Sequence, residues 1–169
     1  MEPSRAGLDV GGNVGRTEYL NDPNAPEANS IVPAANAFVR NERGDVLLIQ
    51  RSDNGLWAMP GGGLDIGETI AATAERETLE ETGYRVRVTG LIGVYTDPGN
   101  VIAYDDGEIR QQFAISFRAQ LEGGDLATSA ESPAVRWVPL DELDALPIHP
   151  TVRLRIDHGL ADLPTPYIG

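Results

Sequence analysis

The stretch "RETLEETG", residues 76–83, gathers glutamates directly in front of a glycine. Good helix formers precede it, and glycine commonly ends a helix in the left-handed conformation, so the sequence predicts a helix over residues 68–82 that stops at Gly83. At about 100° per residue, Glu77, Glu80 and Glu81 fall on one face, whereas Glu75 points away and is expected to be solvated surface. The predicted helix therefore carries three carboxylates on one face near its C-terminus.

This clustering is unfavourable for an isolated helix. Like charges at i,i+3 and i,i+4 destabilise a helix by a few tenths of a kcal/mol per pair, and glutamates in the last turn also face the negative end of the helix dipole, at about 0.3–1 kcal/mol each. Arg76, four residues before Glu80, offsets part of this. Most charge runs are simply solvated faces. A bound divalent cation would instead turn the repulsion into a ligand set, because hard cations take carboxylate oxygens.

The spacing around the helix is more specific than its charge. From Gly62 the sequence reads "GGLDIGETIAATAERETLEETGY", which resembles the Nudix hydrolase signature G-x5-E-x7-R-E-U-x-E-E-x-G-U, with U apolar. Thr78 and Tyr84 occupy the two U positions, where aliphatic residues are usual, and Thr78 is expected to loosen the packing of the helix. The "WAMPGG" stretch and the strand ending at Trp137 also look like the family, so the resemblance covers about residues 31–156. The fixed positions that match are Gly62, Glu68, Arg76, Glu77, Glu80, Glu81 and Gly83.

Outside the helix, strand-like stretches without regular βαβ alternation favour an α+β fold, an α/β/α sandwich with a mixed β-sheet. The Nudix resemblance implies that fold, with a loop–helix–loop catalytic motif. The triple glycine at residues 61–63 predicts a tight, irregular backbone. Strands are expected in residues 31–40, 46–51, 84–96, 101–104, 111–121 and 135–140, with a short acidic helix in 141–146 and a helix in 150–160.

The length of 169 residues suits one domain. Residues 1–30 are rich in Gly, Asn, Pro and Glu and predict an extended N-terminal arm with a short strand near "TEYL". Residues 31–160 form the predicted Nudix domain and residues 161–169 a C-terminal tail. The arm is a possible contact in a homodimer, since dimers occur in this family.

The composition excludes several kinds of chemistry. A net charge of −13 argues against non-specific binding to nucleic acid or to an anionic membrane. All 13 basic residues are arginine and there is no cysteine, so lysine and thiol catalysis are absent. His149 and His158 are nine residues apart and are expected to serve helix initiation and core packing. With no readable signal peptide and no disulfides, a cytoplasmic location is expected.

The resemblance implies a site for Mg²⁺ or Mn²⁺ beside the diphosphate of a small nucleotide substrate. Carried over residue by residue, Glu77 and Glu81 are the primary ligands, and Glu80 lies close by. Glu68 supports the loop or binds the metal through water, and Arg76 holds the glutamates by a fork-type ion pair. The backbone carbonyl of Gly61 or Gly62 completes the set.

The general base and the substrate contacts lie outside the signature. Glu131, in a loop six residues before Trp137, is the first choice for the base, and Glu108 is the second; exposed loop carboxylates are common enough that either one could be simple surface. Candidate phosphate contacts are Arg51 and Arg110. Tyr95 is a candidate for stacking on the base, although an aromatic residue in an apolar strand is more often core.

Three functions remain open from the sequence. The branch that cleaves ADP-ribose and nucleotide sugars is favoured by "VLLIQRSDNGLWAMPGG" and "VYTDPG". The alternative is hydrolysis of nucleoside triphosphates, including oxidised ones. The third possibility is a binding module and not an enzyme, namely a catalytically inactive Nudix domain that senses nucleotides. The complete carboxylate set argues against it.

Overall fold

A computed structural model describes residues 15–169, which form two β-sheets and two α-helices. The α-helices are α1 (Ile70–Thr82) and α2 (Pro150–Ala161), and a 3-10 helix spans Leu140–Ala145. The strands are β1 (Arg16–Leu20), β2 (Ser30–Val39), β3 (Val46–Gln50), β4 (Trp57–Ala58), β5 (Gly61–Gly63), β6 (Tyr84–Tyr95), β7 (Asn100–Tyr104), β8 (Ile109–Gly124), β9 (Ala134–Val138) and β10 (Tyr167–Ile168).

The larger sheet is mixed, as the sequence predicted. Its strands follow the order β1-β7-β8-β2-β5, with β6 pairing with β8 and β10 pairing with β6. The β2–β8 and β10–β6 pairs are parallel and the others are antiparallel. The smaller sheet, β4-β3-β9, is antiparallel. The predicted α+β class is confirmed.

Each helix covers its own apolar core. Side chains that alternate along a strand point to opposite faces, and β3 shows this clearly: Leu47 and Ile49 pack in the cluster under α1, whereas Val46 and Leu48 pack in the cluster under α2. The near-continuous apolar run "VLLI" is therefore explained by burial on both faces. This double burial fixes α1 and α2 on opposite sides of the sheets.

Helix α1 begins and ends where its caps dictate. The Thr69 side chain accepts a hydrogen bond from the Ala72 N–H at 3.2 Å, so the helix begins two residues later than predicted. Gly83 ends it with φ 78°, and a Cβ there would lie 2.2 Å from the carbonyl oxygen of Asp125. Gly83 is thus required by both conformation and space.

One expectation for α1 is wrong. Glu75 is not solvated surface, because its carboxylate accepts the Val88 N–H of β6 at 2.9 Å and so joins α1 to the larger sheet. The looser packing expected at Thr78 stays a prediction. That residue is fully buried, and its hydroxyl donates to the Ala74 carbonyl at 2.7 Å within the same helix.

The triple glycine also differs from expectation, since residues 61–63 are a short strand antiparallel to β2. A Cβ on Gly61 would lie 2.3 Å from the Ala35 carbonyl oxygen, and one on Gly62 would lie 2.5 Å from the carboxyl carbon of Glu77. A Cβ on Gly63 would meet only Val32, at 3.8 Å. Gly61 and Gly62 therefore serve close approach and not an irregular backbone.

Both predicted terminal segments contribute strands. The strand expected near "TEYL" is β1, which pairs with β7 from Arg16↔Tyr104 to Leu20↔Asn100. The remainder of the predicted arm up to residue 14 lies outside the described residues. β10 in the predicted tail pairs with β6. Within residues 15–169, no helix has the length and apolar character needed to cross a membrane.

Candidate active site

A cavity of about 820 Å³ is lined by strands of both sheets and by residues of α1 and α2. One end, which we call the glutamate end, is formed by Glu77 and Glu81 of α1, by β5 and by Glu131. The other, the arginine end, is formed by Arg16 and Glu18 of β1 and by three residues at the start of α2, namely His149, Thr151 and Arg155. Its size suits a nucleotide-sized ligand.

At the glutamate end, α1 presses two carboxylates against the glycines of β5. The Glu81 carboxylate accepts the Gly61 N–H at 2.9 Å, and the Glu77 carboxylate occupies the space that a side chain on Gly62 would need. The spacing of four residues places both glutamates on one face of the helix. The glycines of the motif thus allow β5 to approach the face of α1 that carries the two glutamates.

Burial gives these two carboxylates an unusual affinity for protons. The pKa of Glu81 is raised to about 8, mainly by burial and further by the charges of Glu77 and Glu131. Burial also raises the pKa of Glu77, against the opposing effect of Arg76. Two buried, mutually repelling carboxylates are stabilised by any cation placed between them.

Arg76 lies beside this pair and holds the surrounding loop. Its Nε and Nη2 atoms bind the two carboxylate oxygens of Glu68 at 2.5 and 3.0 Å, and its Nη1 lies 2.8 Å from Glu77 Oε1. The fork lowers the pKa of Glu68 to about 2. Nη2 also donates to the Gly63 carbonyl at 3.2 Å, so one guanidinium joins the loop, β5 and α1.

The predicted metal ligands are not all brought together. Glu80 is mostly exposed and contacts Arg76 Nη1 at 3.2 Å, and neither Glu80 nor Glu68 lines the cavity. Among residues 15–169 no group of three potential ligand side chains converges. The donor set that faces the cavity consists of Glu77, Glu81 and the β5 backbone, with Glu131 near them.

That donor set fits a hard divalent cation. Carboxylate and carbonyl oxygens are the ligands that Mg²⁺ and Mn²⁺ take, and Mg²⁺ retains several waters where the protein supplies few ligands. The mutual repulsion of Glu77 and Glu81 is the observation that favours this choice, because it is relieved by positive charge. Glu77 and Glu81 would therefore hold the ion, with Gly61 or Gly62 beside it.

The two candidates for the general base occupy different surroundings. Glu131 lines the cavity, and its charge acts on both Glu77 and Glu81. Glu108 does not line the cavity; it forms a two-bond pair with Arg110 at 3.0 and 2.8 Å and accepts the Ser30 hydroxyl at 2.9 Å. Only Glu131 is positioned near the glutamate end.

Of the predicted substrate contacts, Arg51 and Arg110 line the cavity, and each is paired with a carboxylate two residues away. Tyr95 does not line the cavity. Its ring is stacked on His158 and Tyr167, with centroids 5.8 and 5.0 Å away. Tyr95 is therefore placed as the core residue that the sequence analysis gave as the commoner case, and nothing in the cavity supports base stacking by its ring.

Several cavity residues were not anticipated from the sequence. His149 caps α2, accepting the Thr151 N–H at 3.3 Å through Nδ1, as expected of a helix start, but its Nε2 also lies 3.1 Å from Glu18. Glu18 in turn pairs with Arg16, and Arg16 Nε is 3.2 Å from Asp53. The residues come from three distant segments, so only the sheet topology brings them together.

Residues 31–157 match the sequence profile of the NUDIX domain. The chain belongs to the Nudix family. A crystal structure of a NUDIX hydrolase from Nitrosomonas europaea superposes with a TM-score of 0.69 at 25% identity, covering 85% of this chain and 80% of that one. The loop–helix–loop expected from the signature corresponds to the loop over residues 64–69 that follows β5, to α1, and to the turn at Gly83.

Three curated relatives of this Nudix protein carry different names. A MutT-like protein of Streptomyces ambofaciens is 40% identical over 74% of this chain and 75% of its own length. A putative 8-oxo-dGTP diphosphatase of Bacillus subtilis is 35% identical over 60% of this chain and 62% of its own length. An ADP-ribose pyrophosphatase of Methanocaldococcus jannaschii is 33% identical over 60% and 58%. The match thus spans about three fifths of the latter two relatives.

Proposed function

We propose that this Nudix protein hydrolyses the diphosphate bond of a nucleoside diphosphate derivative, with Mg²⁺ or Mn²⁺ held by Glu77 and Glu81. The observation that carries the proposal is a pair of carboxylates, Glu81 buried and Glu77 half-buried, packed against Gly61 and Gly62 at one end of a nucleotide-sized cavity. The reaction is attack of water on a phosphorus atom. The ion, when bound, neutralises phosphate charge and makes a water more acidic.

The protein's own contribution is to hold reactants and move a proton. Arg76 fixes the Glu77 carboxylate against β5 by its bond to Glu77 and its fork on Glu68, which pre-orients the site. We assign Glu131 as the general base that takes the proton of the attacking water, because it is the candidate base that lines the glutamate end. In-line displacement at phosphorus needs no covalent help from a side chain.

The first substrate candidates are ADP-ribose and nucleotide sugars, in which the diphosphate joins a nucleoside to a sugar. The cavity has room for groups on both sides of a diphosphate, and one relative is named an ADP-ribose pyrophosphatase. The second candidates are nucleoside triphosphates, since another relative is named a putative 8-oxo-dGTP diphosphatase.

The experiment that tests the proposal is product identification across ADP-ribose, nucleotide sugars, dinucleotides and nucleoside triphosphates, each with Mg²⁺, Mn²⁺ or EDTA. We expect metal-dependent release of a nucleoside monophosphate from at least one class. Failure to cleave any diphosphate with either metal would favour a nucleotide-sensing domain. Binding of the same nucleotides, measured by calorimetry, separates a sensor from a protein that does not bind nucleotides.

A further inference from the structure

The arginines that line the cavity differ in one respect. Arg16 is paired with Glu18, Arg51 with Asp53 and Arg110 with Glu108, each through a carboxylate two residues away. Arg155 of α2 is the exception: within residues 15–169, no carboxylate oxygen lies within 4 Å of its guanidinium. The charges of the other three are already matched by the protein itself.

Arg155 is nevertheless the most deeply buried of these cations. Only 5% of the residue is exposed, and burial lowers the pKa of its guanidinium to about 10, so it still carries its charge at neutral pH. A buried charge without a partner is costly unless hydrogen bonds or a ligand compensate it. The site therefore retains a full positive charge that the protein leaves available to the cavity.

The surroundings of Arg155 fix the direction of its fork. Nε donates to the Thr151 carbonyl at 3.0 Å, and Nη2 donates to the Thr151 hydroxyl at 3.4 Å. The guanidinium carbon lies 5.7 Å from the centroid of the Tyr95 ring. Nη1 makes no hydrogen bond to any residue from 15 to 169. The Nη1–Nη2 edge thus has donors to spare, while Thr151 and Tyr95 hold the group in place.

Arg155 lies at the end of the cavity away from the metal carboxylates. Its guanidinium lies over the ring of Tyr95 in β6. Three strand spacings of about 4.8 Å each separate Tyr95 from Gly63 of β5, because β8 and β2 lie between them in the register. The carboxylate that acts on Arg155 is Glu18. A substrate whose diphosphate is at the glutamate end would therefore extend its nucleoside towards Arg155.

We propose that Arg155 recognises a 6-oxopurine base through the N–H groups of its Nη1–Nη2 edge. An arginine fork offers donors only, and guanine presents two neighbouring acceptors, O6 and N7, whereas adenine pairs its N7 acceptor with an N6 donor that would oppose the fork. With the diphosphate at the glutamate end, the base is the part of a nucleotide that reaches Arg155. The inference rests on the proposed function for the direction of the substrate. Within the proposed classes it places guanosine nucleotide sugars and guanosine triphosphates ahead of ADP-ribose.

The test uses substrate pairs that differ only in the base: GDP-mannose with ADP-mannose, and dGTP with dATP. We expect the wild type to favour guanine in kcat/KM by about tenfold to a hundredfold, and Arg155→Met to bring this ratio close to one. Arg155→Lys, which keeps the charge but loses the fork, should also lose most of the preference. The ratio is independent of the fraction of folded enzyme, so partial misfolding does not blur it.

The matched control is Arg153→Met on the same helix, since Arg153 is paired with Asp144 and Asp157 and does not line the cavity. It should keep the wild-type ratio. A wild type without guanine preference, or variants of Arg155 that slow both bases equally, would overturn the inference and leave Arg155 as a structural residue. Calorimetric binding of GMP and AMP reads the same preference without turnover, so failure of the hydrolase proposal remains distinguishable.

Discussion

The two ends of the cavity are built in opposite ways. At the glutamate end, Glu77 and Glu81 come from one helix and like charges are crowded together, which raises the pKa of both carboxylates. At the arginine end, residues from β1 and α2 meet, and all but one of the cavity's arginines are matched by a carboxylate. The first end is prepared for a cation, and the second leaves one cation available to a ligand.

We infer from this difference that the glutamate end serves the reaction and the arginine end serves the choice of substrate. Crowded carboxylates with raised pKa values indicate chemistry, whereas a cavity wall assembled from loops and an edge strand is where substrate choice usually resides. Substitutions at the glutamate end should therefore change the rate for every substrate, and those at the arginine end should change ratios between substrates. The following predictions test the first half of that comparison.

The largest effect is expected from Glu81→Gln. The amide can still accept the Gly61 N–H but cannot serve as an anionic metal ligand, and loss of several kcal/mol of charge stabilisation corresponds to about a thousandfold decrease in kcat. Steady-state kinetics with Mg²⁺ measures this. Glu75→Gln is the control, because its oxygen keeps the bond to the Val88 N–H outside the cavity; activity near wild type in Glu81→Gln would refute the metal role.

The second-largest effect is expected from Glu131→Gln. We expect kcat to decrease about a hundredfold, because removal of a general base lowers the rate by a factor of about 10²–10⁴. Glu108→Gln should change kcat little, since Glu108 lies outside the cavity in its pair with Arg110. In rates measured as a function of pH, the Glu131→Gln variant should lose the acidic limb, on which protonation of the base slows the reaction. If the Glu108 variant is the slower of the two, the assignment of the base is reversed.

Gly62→Ala should lower kcat/KM about tenfold, comparable to the loss of a group that orients a metal ligand. A Cβ on Gly62 would lie 2.5 Å from the carboxyl carbon of Glu77 and displace it, whereas Gly63→Ala meets only Val32 at 3.8 Å. Kinetics at several Mg²⁺ concentrations distinguish weaker metal binding from a slower reaction. Equal activity of the two alanine variants would contradict the close-approach argument.

The smallest effect is a pH-dependent difference in stability. The pKa of Glu81 rises from 4.5 to about 8 on folding, so the folded state binds this proton more tightly and ionisation costs stability as pH rises through that window. Glutamine cannot ionise. In EDTA, Glu81→Gln should therefore gain a few degrees in Tm over wild type between about pH 5 and 8.

The variant is compared with the wild type because groups other than Glu81 also titrate in this pH range. Burial lowers the pKa of His149, which opposes the trend of Glu81 in the wild-type curve but cancels in the difference. Excess Mg²⁺ should narrow the gap, since the ion favours the ionised carboxylate. A difference in Tm that stays constant across this range would show that Glu81 titrates normally in the folded protein.

The contrast between the ends also explains what the sequence could predict. Helix α1, its stop at Gly83 and the common face of Glu77 and Glu81 depend on neighbours within one turn, so local spacing was sufficient. The sequence cannot show that β1 would pair with β7 and carry Arg16 and Glu18 to His149. In the sequence, Arg155 does not stand out from Arg153 and Asp157, the other charged residues of α2.

Two positions show the limit of residue type. Tyr95 has the residue type of a stacking group as well as of a core residue, and only the packing of α2 and β10 places His158 and Tyr167 against its ring. The triple glycine predicts an irregular backbone, because the demand for space made by Ala35 and Glu77 arises only when β5 meets β2 and α1. Residue type indicates that Tyr95 and residues 61–63 have particular structural roles, but only the tertiary contacts determine which roles these are.

Variation in strand β1 would change the cavity wall of this protein without changing α1. It lies at the edge of the larger sheet and outside residues 31–157, which match the family profile, yet it supplies two charged residues of the cavity wall. Exchange of that single border strand would alter what lies beside α2 while the hydrolytic helix stayed intact. A protein trimmed to residues 31–157 would keep the proposed metal carboxylates of α1 and lose Arg16 and Glu18 from the cavity wall.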